Sequence, residues 1–244
     1  MITPAKWQAK GGKKNEDFRK DIVPHMSKVV YYPESSDIFD INECAGIAYY
    51  SFDKNIHDSK TIINRCTKQS LYNNEVTRKF CGCLNNRGLE LFNKINKLGI
   101  KTVRISGYSR NGIYQVWLNN KVSVHSAWTK SLLSPDGKFH CISICRVINY
   151  KDIHEIPDDS KLVFASNNID ECESFKSWVY TKLVRYFVSI SLCGLTGIAT
   201  SNEWWRFVPD PGPFDHIFTD AELYKKYNLT EEEINVIESV IKPR

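Results

Sequence analysis

Two groups of residues have types and spacings that suit chemistry, and both are basic. Lys6, Lys10, Lys13 and Lys14 surround the pair Gly11-Gly12, with Trp7 as the one apolar anchor. Glycines let the backbone approach a ligand closely and lysines supply charge, so this loop suits contact with phosphate. Further on, Arg104, Tyr108, Arg110, Tyr114, Trp117, Lys121, His125, Trp128 and Lys130 interleave cations with aromatic rings. Basic and aromatic groups on strands and turns hold phosphates and reach base edges, arginine suiting guanine and asparagine suiting adenine. Aromatic residues at alternating strand positions also point into cores. Arg110 and Asn111 fall on a turn where no core competes for them, which makes them the stronger candidates for reading DNA, with Arg104, Lys121 and Lys130 beside them.

Charge distribution points the same way. The 244 residues carry a net +5, but residues 60 to 151 hold sixteen Lys or Arg against three acids, whereas 152 to 244 hold nine basic and sixteen acidic residues. A block this basic attracts polyanions, because each neutralised phosphate releases condensed counterions. A solvated lysine-rich face is the alternative reading of the same block.

Other chemistries find less support. Cys81-x-Cys83 and Cys141-x-x-x-Cys145 lack the paired partners of a zinc site, so the eight cysteines read as reduced structural thiols and no metal is expected. Glu222-x-x-Lys225 is helical and mis-spaced for a nuclease, and the scattered histidines form no catalytic constellation. No run approaches 18 apolar residues, and the lysine-rich start lacks the apolar core of a secretory signal, so the expected location is the cytoplasm.

The elements that must position these residues fall in two regions. Up to Phe52, short β-branched and aromatic runs (Met1 to Pro4, Lys28 to Tyr32, Gly46 to Phe52) flank one amphipathic helix, with Asn15 as its cap and Pro24 near its end. Three strands and one helix do not close a core alone, so this region is expected to finish a larger, parallel α/β sheet. The polar stretch Asp53 to Lys60 reads as a boundary, giving a first region of 1 to 59 and a second of 60 to 244. In the second, Asn73 to Phe80 and Leu89 to Leu98 have helical spacing. Lys101 to Ile105, Ile113 to Leu118, Val122 to Trp128, Phe139 to Ile148 and Leu162 to Ala165 read as strands. Asp170 to Leu192 keeps a 3.6-residue period and reads as one long helix whose Lys176, Lys182 and Arg185 lie off the apolar stripe, free to line a groove. Thr219-x-x-Glu222 and Thr230-x-x-Glu233 are capping boxes, each opening a short helix.

The order of residues in the first region carries a resemblance. Ile2-Thr3-Pro4-Ala5-Lys6-Trp7, Gly11-Gly12, Phe18-Arg19, Val29-Val30-Tyr31-Tyr32-Pro33, Asp37-Ile38-Phe39 and Gly46-Ile47-Ala48-Tyr49-Tyr50 resemble the part of adenine-specific DNA methyltransferases that follows their catalytic tetrad, as in the methylase subunits of type II restriction-modification systems. The resemblance extends to the aromatic-Val-Pro at Phe207-Val208-Pro209 and to the tail. It implies an α/β fold: the last strands of a Rossmann-like methyltransferase sheet, then a mixed α+β target recognition domain. It also implies double-stranded DNA as partner, the lysine-glycine loop as a phosphate contact, and Phe39 as the ring that stacks on the flipped adenine. In that family a glycine-containing loop binds S-adenosylmethionine and an Asn-Pro-Pro-Tyr (or Phe) tetrad holds the adenine. This sequence has no Phe-x-Gly-x-Gly and no Asn-Pro-Pro, and Cys44-Ala45-Gly46 stands where relatives tend to carry a Gly-Gly pair. The expectation is therefore a chain with no catalytic residues of its own that binds DNA and binds no S-adenosylmethionine alone; a gene split, an internal start or a frameshifted relic would each produce it, and an upstream chain carrying the rest of the methyltransferase could restore activity. A stand-alone DNA-binding specificity subunit is the alternative.

Overall fold

The structure, a computed structural model, describes residues 1–4, 7, 17–18, 20–32, 39, 47–55, 60–64, 75–78, 86–119, 121–123, 142, 145–156, 160–191, 196–198, 205 and 207–244. It is a mixed helix-and-sheet protein of the α+β class with two compact units: Met1–Glu90 with Ile190–Thr196, and Leu91–Ser189 with Gly197–Arg244.

The first unit is built on one five-stranded sheet. Its strands are β1 (Ile2–Pro4), β2 (Met26–Tyr32), β3 (Ile47–Phe52), β4 (Lys60–Asn64) and β5 (Glu75–Arg78), in the spatial order β1-β3-β2-β4-β5. β3 is antiparallel to both β1 and β2, so those two run the same way, and β4 lies parallel to β2. The chain between β1 and β2 carries helical residues at 17, 18, 20 and 21, and a short 3-10 turn, Val23–His25, takes over where Pro24 removes a helix donor. Two strands of one sheet that run the same way need such a crossover, here with β3 lying between them. Met26, Val29, Val30, Ile47, Ala48 and Tyr50 are buried, and Trp7, Phe18 and Tyr50 form a triangle of rings 5.9 to 6.5 Å apart.

Three expectations change here. The sheet is mixed and not parallel, with β3 and β5 reversed. Of the residues expected to be helical between Asn73 and Phe80, Glu75–Arg78 instead form β5, because pairing with β4 supplies their backbone groups with partners, and tertiary context outweighs local spacing. The division expected after residue 59 falls between β3 and β4, which share this sheet, and the compact unit continues to Glu90.

Helix α1 (Asn86–Lys97) begins in the first unit and, within the second, buries Leu91 and Ile95 and ends at Gly99, whose φ of 76° is open to glycine. Strands β6 (Tyr114–Asn119), β8 (Cys145–Asn149) and β9 (Ser160–Ser166) form an antiparallel sheet in the order β8-β6-β9, while β7 (Lys121–Ser123) lies outside it. Helix α2 (Ile169–Tyr180) packs against all three strands. Val116, Leu118, Cys145, Val163 and Ala165 on the strands and Phe175, Trp178 and Val179 on α2 are buried, and the rings of Tyr108, Phe164, Trp205 and Phe214 lie against Phe175 or Trp178. The stretch Lys101 to Ile105 is not a strand: Thr102 makes a single bridge to Pro209, and Ile105–Gly107 is a 3-10 turn.

The long helix expected from Asp170 to Leu192 is two. α2 stops at Tyr180, Thr181 turns to an extended backbone, and α3 (Lys182–Ser191) starts afresh. Asp220 makes the break possible. Its carboxylate accepts the Lys182 and Leu183 N–H groups at 2.5 and 3.4 Å, serving donors that a new helix start leaves without partners. Burial raises the Asp220 pKa, against the pull of those two N–H groups and of Arg185 and Lys182. Arg185 lines no groove: it is buried and donates to the Tyr180 and Lys242 carbonyls, while Lys176 and Lys182 pair with Glu173 and Glu238.

Helices α4 (Asp220–Lys226) and α5 (Glu231–Val240) close the unit. The box at Thr230 and Glu233 is complete, and Glu233 also holds Lys94 at 2.6 Å. The one at Thr219 is half made. Thr219 Oγ1 accepts the Glu222 N–H, but the Glu222 carboxylate faces His216 Nε2 at 2.7 Å, and Asp215 faces Nδ1 of the same ring at 2.6 Å. The hydrogen bond to Asp215, then that to Glu222, raise the His216 pKa above its usual 6.5, and the same ring lowers that of Asp215. A raised histidine pKa contributes stability that is fully present below 6.5 and lost as pH rises through the folded-state value. The expected result is an NMR titration midpoint for His216 above 6.5, brought down more by Asp215→Asn than by Glu222→Gln. A midpoint at or below the ordinary value would show that the ring is not held between the two carboxylates.

Candidate nucleic-acid interface

The turn that carries Arg110 and Asn111 is fastened from both sides. The Ser109 carbonyl accepts the Ala165 N–H at 2.8 Å, and the Ile113 N–H donates to Asn167 Oδ1 at 3.1 Å. The Ile113 carbonyl accepts the Tyr150 N–H at 2.9 Å, and Ser109 Oγ bonds the Asn111 N–H and carbonyl at 3.3 and 3.4 Å. Between these fixings Gly112 lies flat on β9: a Cβ there would stand 2.4 Å from the Ser166 carbonyl carbon, closer than real side chains come. With the backbone held on its inner side, Arg110 and Asn111 are exposed.

Facing the turn is the start of α2. Asn168 Oδ1 caps the Asp170 N–H at 2.9 Å, Ser166 Oγ accepts the Asn168 N–H at 3.0 Å and donates to Glu171 Oε2 at 2.6 Å. Between turn and helix start lies an open groove of about 510 Å³, with Phe164 and Ala165 in its lining beside the polar Ser109, Asn111, Asn167 and Glu171. The Cys172 thiol, one turn inside the helix, donates to the Tyr114 carbonyl, and burial pushes its pKa to about 11, so it is a packing group here.

Of the residues singled out in the sequence, Arg104 is exposed just before the Ile105–Gly107 turn, close in sequence to Arg110. Lys121 lies on β7, where only its backbone is described. Lys6, Lys10, Lys13, Lys14 and Lys130 lie outside the described residues. Phe39 belongs to the other unit and is 41% exposed. Trp117 stands opposite Arg146 across β6 and β8 and is half-buried, with its Nε1 on Gln115. Asn167, Asn168 and Glu171 were missed. The sole local signal was the Ser-Asn-Asn that ends a strand before a helix, and it reads first as a cap. Among the described residues no three His, Cys, Asp or Glu side chains converge as a metal site, and no helix is long and apolar enough to cross a membrane.

No protein-family model, curated protein or solved structure matches this chain.

Proposed function

We propose that this chain is the DNA-binding, target-recognition part of an adenine-specific DNA methyltransferase of a restriction-modification system, acting in the cytoplasm. The observation that carries the reading is the Arg110–Asn111 turn: two side chains suited to base edges and phosphates, exposed on a backbone fastened to β9, within the most basic block of the chain. The first unit supports it from the other side. Co-directional β1 and β2 joined by a helical crossover, with β3 reversed between them, suit the end of a doubly wound sheet, and such sheets often carry an antiparallel strand. The exposed Phe39 ring suits a seat for an extruded base. In this reading S-adenosylmethionine and the tetrad belong to an upstream chain, and the methyl group passes to the exocyclic amine of adenine.

The test has two parts. Binding of the full chain to duplex DNA is expected to weaken steeply with salt, and Arg110→Ala should flatten the logarithmic salt slope by about 1 if one phosphate contact is lost. Transfer of labelled methyl from S-adenosylmethionine to adenine in duplex DNA is expected in a mixture with the product of the gene immediately upstream and not with this chain alone. Salt-sensitive binding with no transfer in the mixture would favour a stand-alone specificity subunit, and absence of duplex binding would overturn both readings.

A further inference from the structure

The groove beside the Arg110–Asn111 turn can be read donor by donor, and its inventory selects among ligands. Asn167 gives its Oδ1 to the Ile113 N–H and Asn168 gives its Oδ1 to the Asp170 N–H. In each amide the acceptor is used on the fold, and the NH₂ donor remains for a ligand. Glu171 is the counterpart: Oε2 takes the Ser166 hydroxyl at 2.6 Å, and the carboxylate leaves acceptor capacity and negative charge in the lining. Phe164 and Ala165 supply the apolar part of the lining. A phosphate fits this set poorly, because Glu171 repels it. An apolar side chain fits poorly too, since it would strip water from the amides without replacing it. A nucleobase edge fits, offering an acceptor to an amide and an amine to the carboxylate.

We infer that this groove reads the edge of one base, and that Asn167, Asn168 and Glu171 are specificity-determining residues. The inference rests on the DNA-binding reading above and goes further by naming the kind of base. In the major groove adenine presents an amine beside an acceptor and cytosine presents an amine, whereas guanine presents only acceptors and thymine an acceptor with a methyl group. A carboxylate accepts from the amine of adenine or cytosine and repels O6 of guanine and O4 of thymine. At the position the groove reads, an amine-bearing base is preferred.

The experiment is selection of preferred duplexes from a randomised library by the full chain, followed by competition titrations with single-base variants. Two conservative changes keep the fold's own hydrogen bonds. Glu171→Gln retains an acceptor for Ser166 and adds an NH₂ that can serve O6 or O4. Asn168→Ser retains an N-cap and removes the amide donor. The expected result is a preference for adenine or cytosine at one position, relaxed about tenfold or more in Glu171→Gln, with a smaller loss at the same position in Asn168→Ser and no change elsewhere in the site. Duplex binding with the same base preferences in both variants, a uniform change at every position, or no preference in the parent chain would overturn the inference and leave the DNA-binding reading standing. Failure of the parent chain to bind any duplex would overturn both.

Discussion

Trp178→Ala is expected to cost the chain about 3–5 kcal/mol of unfolding free energy, the range for deleting a large buried aromatic side chain. Trp178 is fully buried, and its ring lies 5.5 to 6.3 Å from those of Phe175, Trp205, Phe214 and Tyr108, so little in this cluster can collapse into the space left behind. One term opposes the loss. The indole N–H is buried with no hydrogen-bond partner, and removing an unsatisfied donor returns part of its desolvation cost, about 1–3 kcal/mol. Cavity formation still dominates for alanine. In Trp178→Phe the volume loss is small and the orphan donor goes too, so the two terms nearly cancel and a change within about 1.5 kcal/mol is expected. Urea unfolding of the full chain decides it: equal losses for the two variants would mean that the cluster is not packed as described. Against a total stability of about 5–15 kcal/mol, the alanine variant would approach unfolding at physiological temperature.

Gly112→Ala is the second large effect, and it links fold to site. The new methyl group would meet the Ser166 carbonyl carbon, nitrogen and oxygen at 2.4 to 2.5 Å, all of them backbone atoms of a paired strand that cannot swing aside. Lifting the turn gives up bonds such as Ser109 carbonyl to Ala165 N–H, and overpacking of this kind costs about 1–3 kcal/mol. Because Arg110 and Asn111 ride on the same backbone, duplex affinity should fall about tenfold or more alongside stability. Gly107 is the control within the same loop: its added Cβ would meet nothing within 4 Å, so Gly107→Ala should leave both measurements near the parent values. Equal behaviour of the two variants would detach the turn from β9.

What could be read beforehand followed the range of the interactions involved. The capping box at Thr230 was legible because both of its partners lie within one helical turn, and the end of α1 was legible because Gly99 carries its own conformational freedom. The box at Thr219 was legible only by half, since His216, six residues away, takes the carboxylate that would have closed it. The break between α2 and α3 was hidden for the same reason at greater distance. Periodicity runs unbroken through Thr181, and the carboxylate that caps the new helix arrives from Asp220, 38 residues further on. Arg185 looked like a surface cation by spacing, yet it is buried against carbonyls that include one from Lys242.

By itself, then, the sequence determined the local grammar of this protein: where apolar faces lie, where most helices start and stop, that Arg110 and Asn111 sit outside helix and strand, and that positive charge gathers in residues 60 to 151. These depend on neighbours a few residues apart, where spacing alone sets geometry. Tertiary structure decided which strands share a sheet and in what direction, that residues 75 to 78 extend instead of coiling, and that the turn faces Asn167, Asn168 and Glu171 across a groove. Such pairings bring together residues from 12 positions apart, as in Ile63 and Glu75, to 54, as in Ile113 and Asn167, and the free energy that selects them comes from ladder hydrogen bonds and buried area that no short stretch of chain possesses.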